Sequence, residues 1–387
     1  MRLATAAVLA IGAIPTLALA PARARAQTLD LQQSTVIGSP RIVGMGGAVS
    51  AAAEDMTGML ATPAAMAFRP PGAVGTWDWD FYLDTLLASH DTDLDNSGLP
   101  PSPDRPIEAA AGGICLYVGR WGIGLSGTDV SYGLSPAATG APAMTLTSGG
   151  SQLGVGRAVL GGQLGIGLSI AASDFAIKQG TTTVFDMTGG TIAAGVLARP
   201  TAMPWRAGLS ARLPAVTSKV ANDCADPTAC NGVVPPTGGE SPWQIGAGFA
   251  WRFGQTAWND PNPILFRDER ALVLAADIAI VGRVPDGVSI AGFAAQMAQP
   301  SGRSVTASAR LGAEGELLPG RLRVRAGGYW EPERIEGRGG RVHGTTGAEL
   351  RLFRFSFWEK ERRVRLALAA DVAEQYANIA LSIGFWH

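Results

Sequence analysis

Lysine, histidine and cysteine are nearly missing from this chain. Of its 387 residues only Lys178, Lys219 and Lys360 are lysine, only His90, His343 and His387 are histidine, and only Cys115, Cys224 and Cys230 are cysteine. So few soft and nitrogen ligands leave little for a Cys/His metal cluster, and neither metal nor cofactor is expected. Charged residues make up 16% and aromatics 7%. Lys+Arg 31 against Asp+Glu 32 gives a net of −1, which is no basic field for holding nucleic acid. No stretch beyond the N-terminus offers ~18 consecutive apolar residues, so no membrane helix is expected. At 47% hydrophobic, the chain is nonetheless too apolar for global disorder. These shortages argue against most soluble catalytic classes, and no enzymatic activity is expected.

The N-terminus carries a compartment signal. Arg2 precedes an apolar run from Leu3 to Ala20, broken at Pro15, and Pro-Ala-Arg-Ala-Arg-Ala follows to Ala26. A positive start, a short apolar core and an Ala-x-Ala end describe a secretory signal peptide over 1–26; the competing reading is a membrane anchor. Cleavage there removes three arginines and no acid, leaving 28 basic against 32 acidic residues and a net of −4. In an oxidising compartment Cys224 and Cys230, in Asn-Asp-Cys-Ala-Asp-Pro-Thr-Ala-Cys-Asn-Gly, are expected to form a loop disulfide.

From about residue 72 onward the hydrophobic period is two. Trp77, Trp79 and Phe81 alternate with Asp78, Asp80 and Tyr82; Val364, Leu366 and Leu368 with Arg365, Ala367 and Ala369; Ile379, Leu381, Ile383 and Phe385 with Ala380, Ser382, Gly384 and Trp386. One face is apolar and the other small or charged, as in a two-faced strand. In an exported chain without membrane helices, a transmembrane antiparallel β-barrel fits: apolar outside, polar within. A soluble β-sandwich makes the same alternation, but the strands here are long. Fourteen are read, near 73–84, 107–118, 121–133, 148–160, 163–177, 183–199, 205–216, 242–254, 271–283, 303–317, 321–331, 342–356, 363–375 and 377–387. Several connections after even strands are tight and several after odd ones long, the pattern of an even-stranded bacterial barrel, with 255–270 the exception. Trp121, Trp205, Trp251, Trp358 and Trp386 fall at predicted periplasmic ends, and Trp243 and Trp330 at outer ends, as two interfacial belts require.

Residues 27–71 do not alternate. They hold Gly44-Met-Gly-Gly-Ala48, then Glu54-Asp55, then Thr62-Pro63-Ala64-Ala65-Met66-Ala67. This resembles the N-terminal plug of the FadL family of outer-membrane fatty-acid and hydrocarbon transporters, and of PorV-like relatives. Those share a Gly-Met-Gly-Gly-Ala stretch, acidic residues and Asn-Pro-Ala-Gly-Leu-Ala; the last part departs here, with Thr for Asn and Ala for Gly. Arg325-Ala-Gly-Gly-Tyr-Trp-Glu-Pro332 is similar to a late strand of the family. The resemblance implies a plug, or hatch, over 27–71, including Gly44, Gly46, Gly47 and Pro63, inside a barrel over 72–387. It implies a monomer embedded in outer-membrane lipid of the Gram-negative type. It also implies transport of a hydrophobic small-molecule ligand, a long-chain fatty acid or hydrocarbon: apolar outer loops capture it, a greasy pocket holds it, and a plug shift releases it. The alternative, from the PorV-like relatives, is a non-transporting barrel that docks other exported proteins. Glycines would let the plug backbone pack closely or take positive φ.

Several motifs have plainer readings. Gly122-Ile-Gly-Leu-Ser-Gly127 matches GxGxxG, but no dinucleotide-binding unit follows. Asp129 would fall on the lipid face, which is costly at depth. Either a bulge near Gly127 shifts the register, in line with the third-strand kink that family members carry, or Asp129 lies above the membrane. Asp91-Thr-Asp-Leu-Asp-Asn-Ser-Gly98 has alternating carboxylates, yet its glycine is late and Ser102 stands at the twelfth position, so a solvated outer loop is expected rather than calcium. His343 is the one histidine on a predicted strand, and no serine stands out as its partner for hydrolysis. The lumen-facing set Arg310, Glu314, Glu316, Arg321, Arg323, Arg325, Glu349, Arg351, Arg363, Arg365 and Asp371 reads as a charge network that fills the wall and anchors the plug. With too few acids to pair every arginine, Arg323, Arg325 and Arg351 are candidates for a ligand carboxylate, which arginine can bind with two hydrogen bonds. Ile290, Phe293 and Met297, at i, i+3 and i+7 in the fifth outer loop, are candidates for ligand capture.

Overall fold

The computed structural model describes residues 28–73, 75–88, 92–99, 107–134, 143–217, 221–225, 230, 234–261, 265–297, 299–358 and 360–387. The expected signal peptide lies outside them. Eighteen strands run in chain order: β1 Thr28–Asp30, β2 Trp77–Ala88, β3 Ile107–Val118, β4 Trp121–Leu134, β5 Met144–Val159, β6 Leu164–Gln179, β7 Thr182–Ala198, β8 Trp205–Arg212, β9 Ala215–Thr217, β10 Gly238–Ser241, β11 Gln244–Phe253, β12 Leu272–Val281, β13 Gly287–Val288, β14 Thr306–Leu318, β15 Leu322–Glu331, β16 Arg341–Phe357, β17 Lys360–Ala373 and β18 Tyr376–Phe385. Two short helices, α1 Pro40–Gly44 and α2 Ile290–Ala294, lie between them.

Fourteen strands close an antiparallel barrel. It runs from β2 through β8, crosses to β11 and β12, continues through β14 to β18 and returns to β2. The expected strand count is met, and the wall explains why. Leu83, Ile123, Leu168, Leu366 and Ile383 are exposed, while Asp80, Tyr82, Arg325, Glu349 and Asp371 are buried. Period-two side chains thus send the aliphatic set outward and the polar set into the lumen. Among the described residues no helix is long and apolar enough to cross a membrane.

At the short-turn end the aromatics form an outward girdle. Trp79 meets Phe385 at 4.9 Å and Phe357 at 6.1 Å, and Trp77 meets Trp358 at 5.6 Å. Trp386 is a correction: it is buried, under the Arg323 guanidinium at 4.3 Å, and belongs to no belt. Trp386 is in phase with Asn378, Ala380, Ser382 and Gly384, the buried face of β18, so the alternation itself turns its ring inward.

A second, four-stranded sheet, in the order β13-β1-β10-β9, was not foreseen. β1 pairs in parallel with both β10 and β13, which belong to two different long connections. The strand expected over 205–216 is split: it leaves the barrel after Arg212, and Ala215–Thr217 joins the small sheet. Pro214 supplies the break, having no N–H for the ladder. The bulge considered near Gly127 does not form. β4 pairs without a register shift from Trp121 to Ser131 with β3 and to Leu134 with β5, and Asp129 stays on the exposed face.

Candidate functional site

Beyond β1, the N-terminal segment, residues 28–73, meets barrel strands through α1 and through the 3-10 turns Met56–Leu60 and Pro63–Ala67. α1 starts at Ser39, whose Oγ accepts from Ile42 N, with Pro40 at the first helical position, and it lies against β15 to β18. Gly46 and Gly47 follow with φ of +60° and +75°. A side chain on Gly46 would begin 2.6 Å from Gly328 N of β15, and one on Gly47 would begin 2.9 Å from Arg310 Nη1. Both left-handed backbone and close approach therefore require glycine here. On Gly44 a side chain would begin 3.2 Å from Arg325 Cβ and 3.3 Å from Gly347 Cα. Pro63 opens a 3-10 turn, Pro63–Ala67, capped by Thr62, which lies against β4 to β7. Thr62, which stands where the family has asparagine, caps this turn: its Oγ1 accepts from Ala64 N at 3.3 Å.

Ion pairs tie this segment to the wall. Arg41 Nε meets Glu314 Oε2 at 3.0 Å, and Ser50 N donates to Asp277 Oδ2 at 2.8 Å. Met56 N donates to Asp80 Oδ2 at 2.7 Å. Glu54 Oε1 receives Arg206 Nη1 and Arg267 Nη2, each at 2.8 Å. Burial opposes the charge on Glu54, but Arg267, Arg206, Arg41 and Arg199 together hold its carboxyl well below the usual range. At the other end of the segment, Asp30 is buried and bidentate to Arg334, at 2.7 and 3.0 Å.

The arginines singled out from the sequence are paired, contrary to the expected surplus. Arg325 contacts Glu314 at 2.6 Å and also Glu349. Arg323 reaches Glu316 at 3.4 Å and Glu349 at 3.7 Å, and Arg351 reaches Asp268 at 3.8 Å. Asp268, in the connection after β11, was missed as a partner because that connection was read only as a long turn. Arg321 is exposed beside the Gly320 turn, not in the lumen. His343 sits between two carboxylates, 2.9 Å from Asp371 Oδ1 and 2.9 Å from Glu331 Oε2, and stacks on Tyr329 at 4.1 Å. No serine is among those contacts.

A cavity of about 510 Å³ lies between the segment and the wall. Val36, Ile42 and Leu60 line it from the segment. The wall contributes Phe175, Arg212 and Arg310 with hydroxyl and amide groups such as Thr128 and Gln152, so the lining is mixed rather than uniformly greasy. Arg323, Arg325 and Arg351 do not border it. Arg310 does, and its buried Nε has no hydrogen-bond partner among the described residues. Asp277 stands directly across the ladder from Arg310, but one of its carboxylate oxygens is engaged by Ser50 N. No sequence signal distinguishes Arg310 from its ion-paired neighbours, because that engagement is tertiary.

Ile290 and Phe293 are buried at the long-loop end, where Phe293 meets Phe185 at 5.3 Å, whereas Met297 lies beyond α2 and is exposed. The structure does not bring these three together on one surface. In the loop of alternating carboxylates, Asp93 is buried and accepts from Ser97 N at 3.0 Å and Gly98 N at 2.6 Å, so that carboxylate is not solvated; Asp91 and Ser102 lie outside the described residues. Cys224 and Cys230 have Cα atoms 5.2 Å apart, a separation that a disulfide spans.

No protein-family profile matches the sequence, and no curated protein matches it. Solved structures do. A FadL homologue from Pseudomonas aeruginosa superposes with a TM-score of 0.53 at 12% identity, covering 91% of this chain and 99% of that one. The Pseudomonas putida toluene transporter TodX gives 0.53 at 16% identity, covering 93% and 99%. The monoaromatic hydrocarbon channel CymD gives 0.56 at 13% identity, covering 92% and 98%. The chain has the FadL-type fold. The likeness runs along nearly the full length of both chains.

Proposed function

We propose that this FadL-type barrel sits in the outer membrane and passes hydrophobic small molecules inward, without covalent chemistry. A ligand enters at the long-loop end, rests in the 510 Å³ cavity and leaves when residues 28–73, acting as a plug, shift against the wall. The cavity falls within the roughly 300–1,000 Å³ of small-molecule sites. The hydrocarbon channels that share the fold support a hydrophobic ligand, and that support does not extend to the reading as a protein-docking barrel.

The observation that carries the ligand class is Arg310, half-buried on the cavity and, among the described residues, without a hydrogen-bond partner for its Nε. It favours a long-chain fatty acid, whose carboxylate would take the fork of Arg310, over a plain hydrocarbon. The test compares a fatty acid with a hydrocarbon of equal length on wild type and Arg310→Ala. Loss of ~1.5–3 kcal/mol for the acid alone is expected, the range for hydrogen bonds to charged groups. Equal binding of the acid by both proteins would remove Arg310 from the site.

A further inference from the structure

We propose that Met56, Met59 and Met66, together with Cys115 of β3, form a site for a soft monovalent metal ion, Cu(I) or Ag(I). The three thioether sulfurs converge on one spot: the Sδ atoms of Met66, Met59 and Met56 lie 2.7, 3.0 and 3.3 Å from the point where a side chain on Gly124 would begin. Gly124 is directly across the ladder from Cys115 on one side and from Gly154 on the other. Two glycines in register leave the recess into which the sulfurs fold. The three methionines and Cys115 are fully buried and share one cluster with Tyr82 and Tyr117.

The donor set selects the ion. Thioether and thiol sulfur are soft ligands that favour Cu(I), whereas carboxylate and carbonyl oxygen suit Mg(II), Ca(II) and Mn(II). Among the described residues no group of three His, Cys, Asp or Glu could hold a harder ion. Thioethers are neutral and bind without losing a proton. A buried cation needs a nearby opposite charge, and Asp80 supplies it: it is buried, pairs with Cys115 across the β2–β3 ladder and accepts from Met56 N at 2.7 Å, and its Oδ1 lies 2.9 Å from His387 Nε2, so the ion and His387 would share this carboxylate. Access is also present, because Met59 borders the cavity. Met56, Met59 and Met66 belong to the segment and Cys115 to the wall, so a bound ion would cross-link the two.

Plain packing makes a different prediction. If the sulfurs only fill space, leucine serves as well at all three positions, since Leu–Met exchange conserves volume. The experiment uses the full chain in detergent and chloride-free buffer. Silver nitrate, and separately Cu(I) in competition with a chelator, are titrated and the retained metal is counted by native mass spectrometry. Wild type should retain one ion, Met56→Leu/Met59→Leu/Met66→Leu should retain none, and Zn(II) should not be retained by either. Cys115→Ser should weaken retention by at least the roughly ten- to hundredfold that loss of even an outer-shell partner brings. Heat-modifiable gel mobility checks that the barrel is intact. Should the triple variant fail to assemble, Met59→Leu alone is expected to weaken retention about tenfold or more. No ion on wild type, or equal retention by the leucine variants, overturns the site.

Discussion

Glu54→Gln is the sharpest perturbation of the contact between the segment and the wall. The carboxylate is largely buried and holds Arg206 and Arg267 at 2.8 Å each, and the Arg206 side chain is fully buried. Glutamine keeps the shape and removes the charge, so two guanidinium groups lose their counter-ion. Removing one partner of a buried pair costs ~3–5 kcal/mol. Because β8, which carries Arg206, is held by its backbone ladders to β7 and β11 whereas the segment is held to the wall by side-chain contacts such as this one, most of that cost should fall on the segment. A loss of ~3 kcal/mol raises a local opening equilibrium by roughly two orders of magnitude. Hydrogen exchange should show amides of residues 42–66 exchanging faster by about that factor, while the strand amides and the heat-modifiable mobility stay as in wild type. The pH dependence follows the same pair. Glu54 titrates below its ordinary 4.5, so its contribution is present above that value and is lost as pH falls toward the depressed one; in Glu54→Gln this acid-side loss should vanish. Unchanged exchange in the segment would refute the reasoning, and uniform loosening of segment and strands would show that they do not separate energetically.

Other expectations are as direct. Gly46→Val/Gly47→Val places β-branched side chains at positive φ and against Gly328 N; protease sensitivity of the segment should rise with the barrel still assembled, and unchanged ligand binding would count against the plug. Arg325→Ala leaves Glu314 and Glu349 without it, so thermal stability should fall, while fatty acid and hydrocarbon binding change equally; selective loss of the acid would return Arg325 to the ligand site. Burial and the neighbouring Asp93 push the Asp95 carboxyl up to about 7. A raised carboxyl stabilises its loop fully below the ordinary value and loses that as pH rises through 7, so protection of residues 92–99 from proteolysis should fall over this range, and Asp95→Asn should flatten the profile.

What was legible follows from how far each signal reaches along the chain. Fourteen strands could be counted because alternation is local: the observed Ile107–Val118 coincides with its expected bounds, and Gln244–Phe253 and Leu272–Val281 lie within two residues of theirs. The first strand was placed four residues early. Its end was read at Asp84, but a carboxylate on the lumen face is no strand breaker, and β2 runs on to Ala88. The Gly46-Gly47 turn was visible as a motif, while its reason, contact with Gly328 some 280 residues on, was not. β1 is three residues long and pairs only with distant loops, so nothing local marks it. Apart from Arg321, which lies at the turn before β15, the arginine set was legible on the correct strands. Its pairing was misjudged because Glu314 reaches both Arg41 and Arg325, and Arg351 finds Asp268 in a connection. Arg310 emerged from three-dimensional neighbours alone, as did the convergence of three methionine sulfurs on Gly124.

Reversible stapling of the segment to the wall tests the transport proposal most directly. Gly246 of β11 faces Ser50 of the segment: a side chain on Gly246 would begin 3.7 Å from Ser50 Oγ, a reach that a disulfide between cysteines at the two positions can span. In cells carrying Ser50→Cys/Gly246→Cys, uptake of a radiolabelled long-chain fatty acid is measured under oxidant and again after reductant, with wild type treated alike. Uptake that falls to the level of cells without the protein when the staple closes, and recovers when it opens, is the expected result. Full uptake through the closed staple would contradict passage gated by residues 28–73.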